Sequence, residues 1–330
     1  MAETSKIAWT KSTFNPWIGC TKVSPGCEHC YASVSTPVRT LGITWGAGQP
    51  RHLTSVSNWV KPPVWNKRAQ KSGEFWPVFC SSLADVFDNE VPAAWREDLF
   101  SLMSTTPYLT WLVLTKRIGN AKTMMADALH LNPHANRDGK IWPLPNVWLG
   151  ATIVNQEEAD RDIPKLLATP AAKRFVSYEP ALGPIRFTEI EQAERLYVNC
   201  LMDQDTPEVV IQPALDWIIV GGESDQPGMR ARPFDVEWAR STVRQCKQAG
   251  VPVFVKQLGS APKNWCAALL NADADHRADC EADHCDNYEA GVQGVNCFKE
   301  GARCVYLEDR AGADPTEWPE DLRVQEFPLD

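Results

Sequence analysis

The sequence lacks any hydrophobic run long enough to cross a membrane. No stretch approaches the roughly 20 consecutive apolar residues that a spanning helix needs, and residues 1–11 contain no apolar signal-peptide core. The chain also lacks an excess of basic residues, since its formal net charge is −9. This charge argues against a surface coated for non-specific nucleic-acid binding, although it does not exclude a local basic cleft. We therefore expect a cytoplasmic protein with no membrane partner.

Cysteine, in contrast, is abundant, and eleven thiols in a reducing compartment favour metal ligation or buried thiols over a disulfide framework. Cys20, Cys27 and Cys30 form a C-x6-C-x2-C array. Three thiolates can hold a [4Fe–4S] cluster and leave one iron open for S-adenosylmethionine (SAM), whereas structural zinc takes four protein ligands. The first gap is longer than the C-x3-C-x2-C spacing usual in radical SAM enzymes. The alternative is a zinc knuckle with His29 or a distant cysteine as fourth ligand.

Short apolar runs alternate with segments of helical periodicity along the chain. The strand-like runs span residues 77–82, 108–114, 146–149, 174–176, 215–220 and 251–255. The helical segments span residues 92–104, 156–168 and 235–249. Because strands that alternate with helices form parallel sheets, the pattern predicts an α/β fold, closed into a full or partial (β/α) TIM-like barrel.

The chain divides into three predicted parts, which are a barrel at residues 1–262, a small Cys-rich insertion at 263–304 and a tail at 305–330 that packs on the barrel. The insertion is acidic and has too few large apolar residues to fold on a core of its own, so a bound metal would explain its order. A second metal site, for zinc or an auxiliary [4Fe–4S] cluster, is predicted at Cys280, Cys285, Cys297 and Cys304. The alternative is a flexible insertion with incidental cysteines.

Polar residues follow the predicted strands, at the edge where barrel enzymes build their active sites. Lysine and arginine there suit an anion. The paired glycines 221–222 let the backbone approach a ligand closely, and Glu223 after them suits a cationic amine. The candidate SAM- or substrate-binding residues are Thr115, Lys116, Glu179, Gly221, Gly222, Glu223, Arg230 and Lys256. Arg117, next to Lys116, and Arg232, two residues after Arg230, are predicted to bind a phosphate or carboxylate of a ligand. The alternative for each is an ordinary solvated strand end or surface charge.

Seven segments occur in the order of a known family. In chain order they are NPWIGCTKVSPGCEHCYA, CSSLADVFDNEVP, LTKR, NVWLGATIVNQEEADRDI, FVSYEPALGPI, IIVGGES and PVFVKQLG. Together they resemble the phage-associated three-cysteine-motif family, a radical-SAM-like group of phages and bacteria. The tail VYLEDRAGADPTEWPEDL is similar to the family's usual ending. The Thr-Lys and Glu-Pro pairs resemble, more loosely, spore photoproduct lyase-like radical SAM proteins, which repair or modify DNA. The resemblance implies a barrel of the radical SAM type with a [4Fe–4S] cluster on Cys20, Cys27 and Cys30.

We therefore expect a radical-SAM-like iron–sulfur enzyme. An electron from an external donor would cleave cluster-bound SAM to a 5′-deoxyadenosyl radical, and the protein would position the substrate and exclude water. The expected substrate is a nucleic acid base or a nucleotide, which the enzyme modifies or repairs. The alternative is a zinc-stabilised, non-catalytic binding protein that acts on a host or partner protein.

Overall fold

The computed structural model describes residues 3–130, 143–193, 196–202, 214–263 and 307–328. The predicted second metal site at Cys280, Cys285, Cys297 and Cys304 lies outside the described residues, so it stays a prediction, as does the division into three parts. No helix in the described part of the chain is long and apolar enough to cross a membrane.

Seven parallel strands form one curled sheet, which is a half-barrel. Numbered along the chain, they are β1 (Ser12–Thr13), β4 (Pro77–Cys80), β5 (Thr110–Thr115), β6 (Val147–Thr152), β7 (Lys173–Tyr178), β10 (Trp217–Gly221) and β12 (Val253–Gln257). They lie side by side in this order, so successive sheet strands are neighbours and their carboxyl ends meet at one edge. The α/β class and the partial form of the predicted barrel are confirmed.

The remaining elements surround this sheet. Paired short strands are β2 (Trp17–Ile18) with β3 (His52–Leu53), β8 (Ile190–Ala193) with β9 (Leu196–Val198), and β11 (Phe234–Asp235) with β13 (Pro262–Lys263). The helices are α1 (Thr36–Thr40), α2 (Val56–Trp59), α3 (Lys61–Ser72), α4 (Ala93–Ser104), α5 (Ile118–Ala128), α6 (Gln156–Leu167) and α7 (Val236–Ala249). The three helices predicted from periodicity correspond to α4, α6 and α7.

Local capping fixes where the helices begin and end. Asn155 accepts a hydrogen bond from the Glu158 amide at 3.0 Å, and the Glu158 carboxylate accepts one from Val154, which satisfies two amides at the start of α6. Asp235 caps α7 by accepting from the Glu237 amide, and Gly250 ends the helix in a left-handed conformation with φ 72°. Each helix therefore returns the chain to the amino edge of the sheet, where the next parallel strand begins.

The two faces of the sheet bury different residues, because side chains alternate along each strand. The outer face carries aliphatic residues such as Val113, Val176 and Val220, which pack in one core with helix residues such as Ile163 and Val243. The inner face carries a second, largely aromatic cluster of Trp9, Phe79, Leu112, Trp148, Phe175, Trp217, Ile219 and Phe254, which we call the aromatic floor. This floor fills the amino half of the half-barrel and leaves the carboxyl half for polar residues.

Packing within the aromatic floor is tight. A Cβ atom added to Gly150 would lie 2.3 Å from the ring of Phe175 on the next strand, so the ring occupies the space above this glycine. The ring of Trp217 lies 5.8 Å from that of Phe175 and 5.3 Å from that of Phe327, measured between centroids. The described tail therefore contributes to the floor.

The tail also pairs with β12, the last strand of the sheet. The Val255 amide donates to Val324 O at 2.8 Å, and the Glu326 amide donates to Val253 O at 3.0 Å. The side chain of Trp318 is buried close by in the outer core. These contacts cover a strand edge that would otherwise present unpaired backbone groups.

Removing the indole of Trp217 is expected to destabilise the protein strongly. Trp217→Ala should lower the free energy of unfolding by about 3–5 kcal/mol, because the side chain is fully buried among other rings. Trp217→Phe keeps a ring but removes the N–H that donates to Glu326 O at 2.8 Å, and should cost about 1–3 kcal/mol. Denaturant unfolding followed by circular dichroism measures both, and equal losses would contradict a packing role for the ring.

Candidate functional site

A layer of polar side chains lies above the aromatic floor, at the carboxyl edge of the sheet. Side chains alternate along a strand, so the residues two or four positions after Trp148, Phe175 and Phe254 also point inward. Lys116 Nζ donates to Thr152 Oγ1 at 3.3 Å, which joins β5 to β6.

A second polar contact joins β7 to β12. Lys256 Nζ lies 2.9 Å from Glu179 Oε1, and Ser177 Oγ donates to the other carboxylate oxygen of Glu179 at 3.3 Å. Three of the predicted site residues, Lys116, Glu179 and Lys256, therefore lie in this layer.

Glu179 keeps spare acceptor capacity. Its Oε1 atom is buried and makes no hydrogen bond within the described structure, because the nearby Lys256 ammonium has ion-pair distance without hydrogen-bond alignment. A Cβ atom added to Gly221 would lie 2.8 Å from this oxygen, so the glycine permits the carboxylate to sit there. A hydroxyl or ammonium group of a ligand could donate the hydrogen bond that this oxygen lacks.

The loop that carries the three cysteines lies over the same edge. Ser24 accepts from the Gly26 amide and begins a short 3-10 turn over Pro25–Cys27. A Cβ atom added to Gly26 would be 2.8 Å from Val154 Cγ1 and 3.6 Å from Lys116 Cε, which places the turn directly above β5 and β6. Cys27 is buried and Cys20 and Cys30 are half-buried, and none of the three forms a disulfide.

The Cys20 end of the loop is anchored to the first strands. Gly19 donates its amide to Leu83 O at 3.1 Å, and Cys20 O accepts from the Gly46 amide at 3.1 Å. Arg117 donates to Cys20 Sγ at 3.3 Å and to Thr21 O at 2.7 Å. Burial, and then the charge of the neighbouring Asp85, raise the pKa of the Cys20 thiol to about 12, although Arg117 opposes this. Binding a metal there would therefore release a proton.

Asp85 lies under the end of β5 and contacts three consecutive residues there. Its carboxylate accepts from Thr115 Oγ1 at 2.7 Å and from the Lys116 amide at 2.9 Å, and it lies 3.3 Å from Arg117 Nη1. Thr115, which the sequence predicts to contact a ligand, is buried and in turn accepts from the Arg117 amide. The structure therefore places Thr115 under the site, where it orients Asp85 and Arg117.

A second buried arginine extends this network. Arg51 Nε donates to Asp88 at 2.9 Å, and Arg51 Nη2 donates to Thr21 Oγ1 at 2.7 Å. Arg51 and Asp88 were not predicted as site residues. These two residues lie 37 positions apart and belong to no local motif, so the sequence contains no signal of their contact.

The Cys27–Cys30 end of the loop is anchored to β10. Glu223 accepts from Arg232 Nη2 at 2.7 Å and from Arg232 Nε at 3.0 Å, and its second oxygen lies 3.0 Å from His29 Nδ1. Arg232 also donates to Pro25 O at 2.9 Å and to Glu28 at 3.2 Å. Glu223 and Arg232 together therefore form a clamp on the loop.

The clamp changes what the Gly-Gly-Glu triplet can do. Glu223 was predicted to suit a cationic amine, and the structure gives its carboxylate to Arg232 and His29. A Cβ atom added to Gly222 would lie 2.4 Å from Leu258 O, so this glycine permits two backbone segments to meet. Arg230, the arginine predicted beside Arg232, is exposed.

Acid should weaken the clamp. Burial pushes the pKa of Glu223 up, but the hydrogen bonds and charge of Arg232, and then the charge of His29, lower it below the ordinary 4.5. A carboxyl with a depressed pKa stabilises the fold at neutral pH and loses this contribution as the pH falls through the depressed pKa. We expect Glu223→Gln to be less stable than the wild type at pH 7, and the difference to shrink below pH 4.5.

Unfolding free energies at a series of pH values measure this effect. Glu157→Gln, at an exposed carboxylate on α6, serves as the control and should show little such convergence. A Glu223→Gln difference that stays constant down to the acid transition would contradict the role of the charged pair.

No three His, Cys, Asp or Glu side chains among the described residues are grouped closely enough to hold a single metal ion. A [4Fe–4S] cluster does not need such a group, because each thiolate binds a different iron. Three free thiols lie over the polar layer, and Arg117 donates a hydrogen bond to one of them, Cys20. Cysteine thiolates are the ligands that hold iron–sulfur clusters, so these residues fit a cluster.

A comparison with known families identifies the domain. Residues 4–296 match the family described as protein of unknown function (DUF5131). The chain belongs to this family. The DUF5131 match covers both loop anchors and every strand of the half-barrel, so the candidate site lies within the family domain. It also extends through much of the Cys-rich insertion predicted at residues 263–304. No curated protein and no solved structure matched the chain.

Proposed function

We propose that the protein is a radical-SAM-like iron–sulfur enzyme, in which Cys20, Cys27 and Cys30 hold a [4Fe–4S] cluster. When bound, the cluster would supply the electron that cleaves SAM to a 5′-deoxyadenosyl radical. The observation that carries the proposal is the position of the cysteine loop, which two anchors hold over the polar carboxyl edge of a parallel half-barrel. Active sites of barrel enzymes form at this edge.

The residues of the polar layer would bind and orient the organic ligands. Lys116 and Lys256 can meet carboxylate or phosphate groups, and Glu179 Oε1, which is ion-paired with Lys256 but accepts no aligned hydrogen bond among the described residues, can accept from a hydroxyl or an amine. The aromatic floor closes the cleft from below and would exclude water on that side. The proposed substrate is a nucleic acid base or a nucleotide, because the two lysines of the polar layer suit its phosphates.

Electron paramagnetic resonance on anaerobically reconstituted, dithionite-reduced protein tests the proposal. We expect a [4Fe–4S]⁺ signal that changes shape when SAM is added, because SAM would occupy the open iron. A cluster signal that does not respond to SAM would remove the SAM chemistry and keep the cluster. Stoichiometric zinc without sulfide would overturn the proposal and favour the zinc-stabilised binding protein.

A further inference from the structure

The guanidinium of Arg117 lies between a sulfur and two buried carboxylates. Nη1 donates to Cys20 Sγ at 3.3 Å and lies 3.3 Å from Asp85 Oδ2, while Nη2 lies 3.9 Å from Asp88 Oδ1. The Arg117 side chain is 9% exposed, so water screens these charges weakly. The guanidinium is charged there, because arginine does not lose its proton in proteins.

The backbone of the cysteine loop also holds this guanidinium. Besides Cys20 and the carboxylates, Nη2 donates to Thr21 O at 2.7 Å, which fixes the plane of the group. The Lys116–Arg117 pair was predicted to bind an external anion. The structure separates the two residues, because Lys116 faces the polar layer and Arg117 faces the cysteine loop.

We propose that Arg117 is a positioning residue that sets the reduction potential of the cluster through Cys20, an inference that rests on the proposed function. Reduction adds one electron to the cluster and its ligating sulfurs. A cation that donates a hydrogen bond to such a sulfur stabilises the added negative charge and raises the potential. Asp85 lies on the other side of the guanidinium, and its negative charge acts in the opposite direction.

The long first gap of the cysteine array is consistent with this arrangement. Cys20 is held at the ends of β4 and β5, where Arg117 lies, while the turn at Cys27 is held by Arg232 from the far side of the half-barrel. The six residues between these cysteines join the two anchors. A shorter gap would draw Cys20 away from the guanidinium.

A redox titration of the reconstituted protein, followed by electron paramagnetic resonance, tests the inference. At the midpoint potential of the wild type, Arg117→Gln should reduce the ratio of reduced to oxidised cluster about tenfold, which is ~59 mV for a one-electron couple. Asp85→Asn should shift the ratio in the opposite direction, because it removes the opposing charge. General loosening of the site would move both variants the same way.

Two further variants keep the test decisive if Arg117→Gln fails to fold or to hold iron. Arg117→Lys keeps the positive charge but cannot reach both Cys20 Sγ and Thr21 O, so its ratio should lie between those of the wild type and Arg117→Gln. Arg240→Lys is the matched control, because Arg240 is buried on α7 and donates to Asp321 and Glu237 rather than to a sulfur. It should keep the wild-type midpoint.

The outcomes separate this inference from the function on which it rests. A wild-type protein that holds no cluster would overturn both. A wild-type cluster whose midpoint is the same in the Arg117 and Asp85 variants, or shifts in one direction in both, would overturn the role of Arg117 alone.

Discussion

Serine in place of Cys20, Cys27 or Cys30 is expected to abolish cluster binding. Bound iron and acid-labile sulfide should fall from about four each per chain to below about one, because a cluster with three protein ligands has none to spare. The loss should be similar for all three variants, although Cys27 is buried and the other two are half-buried. Iron and sulfide assays after anaerobic reconstitution measure it.

Cys246→Ala provides the control for a general effect of losing a thiol. Cys246 is fully buried on α7 and packs in the outer core, away from the cysteine loop. This variant should lose some stability and keep the iron and sulfide of the wild type. If the three serine variants also kept them, the cluster would have other ligands. Should the Cys-rich insertion bind a second cluster, the loss would stop at about half of the total.

The fold was predictable because its signal is local. Each apolar run that predicted a strand corresponds to one, and the observed strands extend to Thr115, Thr152 and Tyr178 beyond the apolar residues. Polar residues at these ends belong to the ladder because backbone pairing continues after the hydrophobic pattern has stopped. The strand Ser12–Thr13 was missed, since two polar residues carry no apolar period.

The sequence predicts which residues lie at the carboxyl edge of the sheet, but it does not predict how their side chains pair. Parallel topology alone brings Lys116, Glu179 and Lys256 to the same end of the sheet, and the structure places them there. Which side chain pairs with which was beyond the sequence. His29 and Glu223 lie 194 residues apart, and their contact depends on how the cysteine loop crosses the half-barrel.

The same limit explains Arg117 and Arg232. Both were interpreted as contacts for an external anion, and both bind carboxylates of this chain. Residue type predicted the chemistry, namely a guanidinium with a carboxylate. It could not predict whether the carboxylate would come from a ligand or from the protein, because this depends on long-range packing.

Alanine in place of Gly222 is expected to disturb both the fold and the cysteine loop. The new Cβ atom would lie 2.4 Å from Leu258 O and 2.8 Å from Leu258 C, which are backbone atoms that cannot rotate away. Hydrogen bonds hold this crossing on both sides, from the Gly222 amide to Gln257 O at 3.0 Å and from the Leu258 amide to Gly312 O at 2.8 Å. We expect the free energy of unfolding to fall by about 1–3 kcal/mol.

The substitution should also reduce iron retention, because the backbone shift would move Glu223, the next residue, away from Arg232 and His29. Iron content measured well below the thermal transition separates this effect from unfolding. Gly183→Ala is the matched control, since its Cβ atom would meet only Asn155 Cβ at 3.5 Å, an ordinary contact.

Lost stability with full iron retention would mean that the Glu223 clamp does not hold the loop. Unchanged stability would contradict the close approach of the two backbone segments. Loss of both, with Gly183→Ala unchanged, would show that packing at the end of β10 is transmitted to cysteines about 190 residues earlier in the chain.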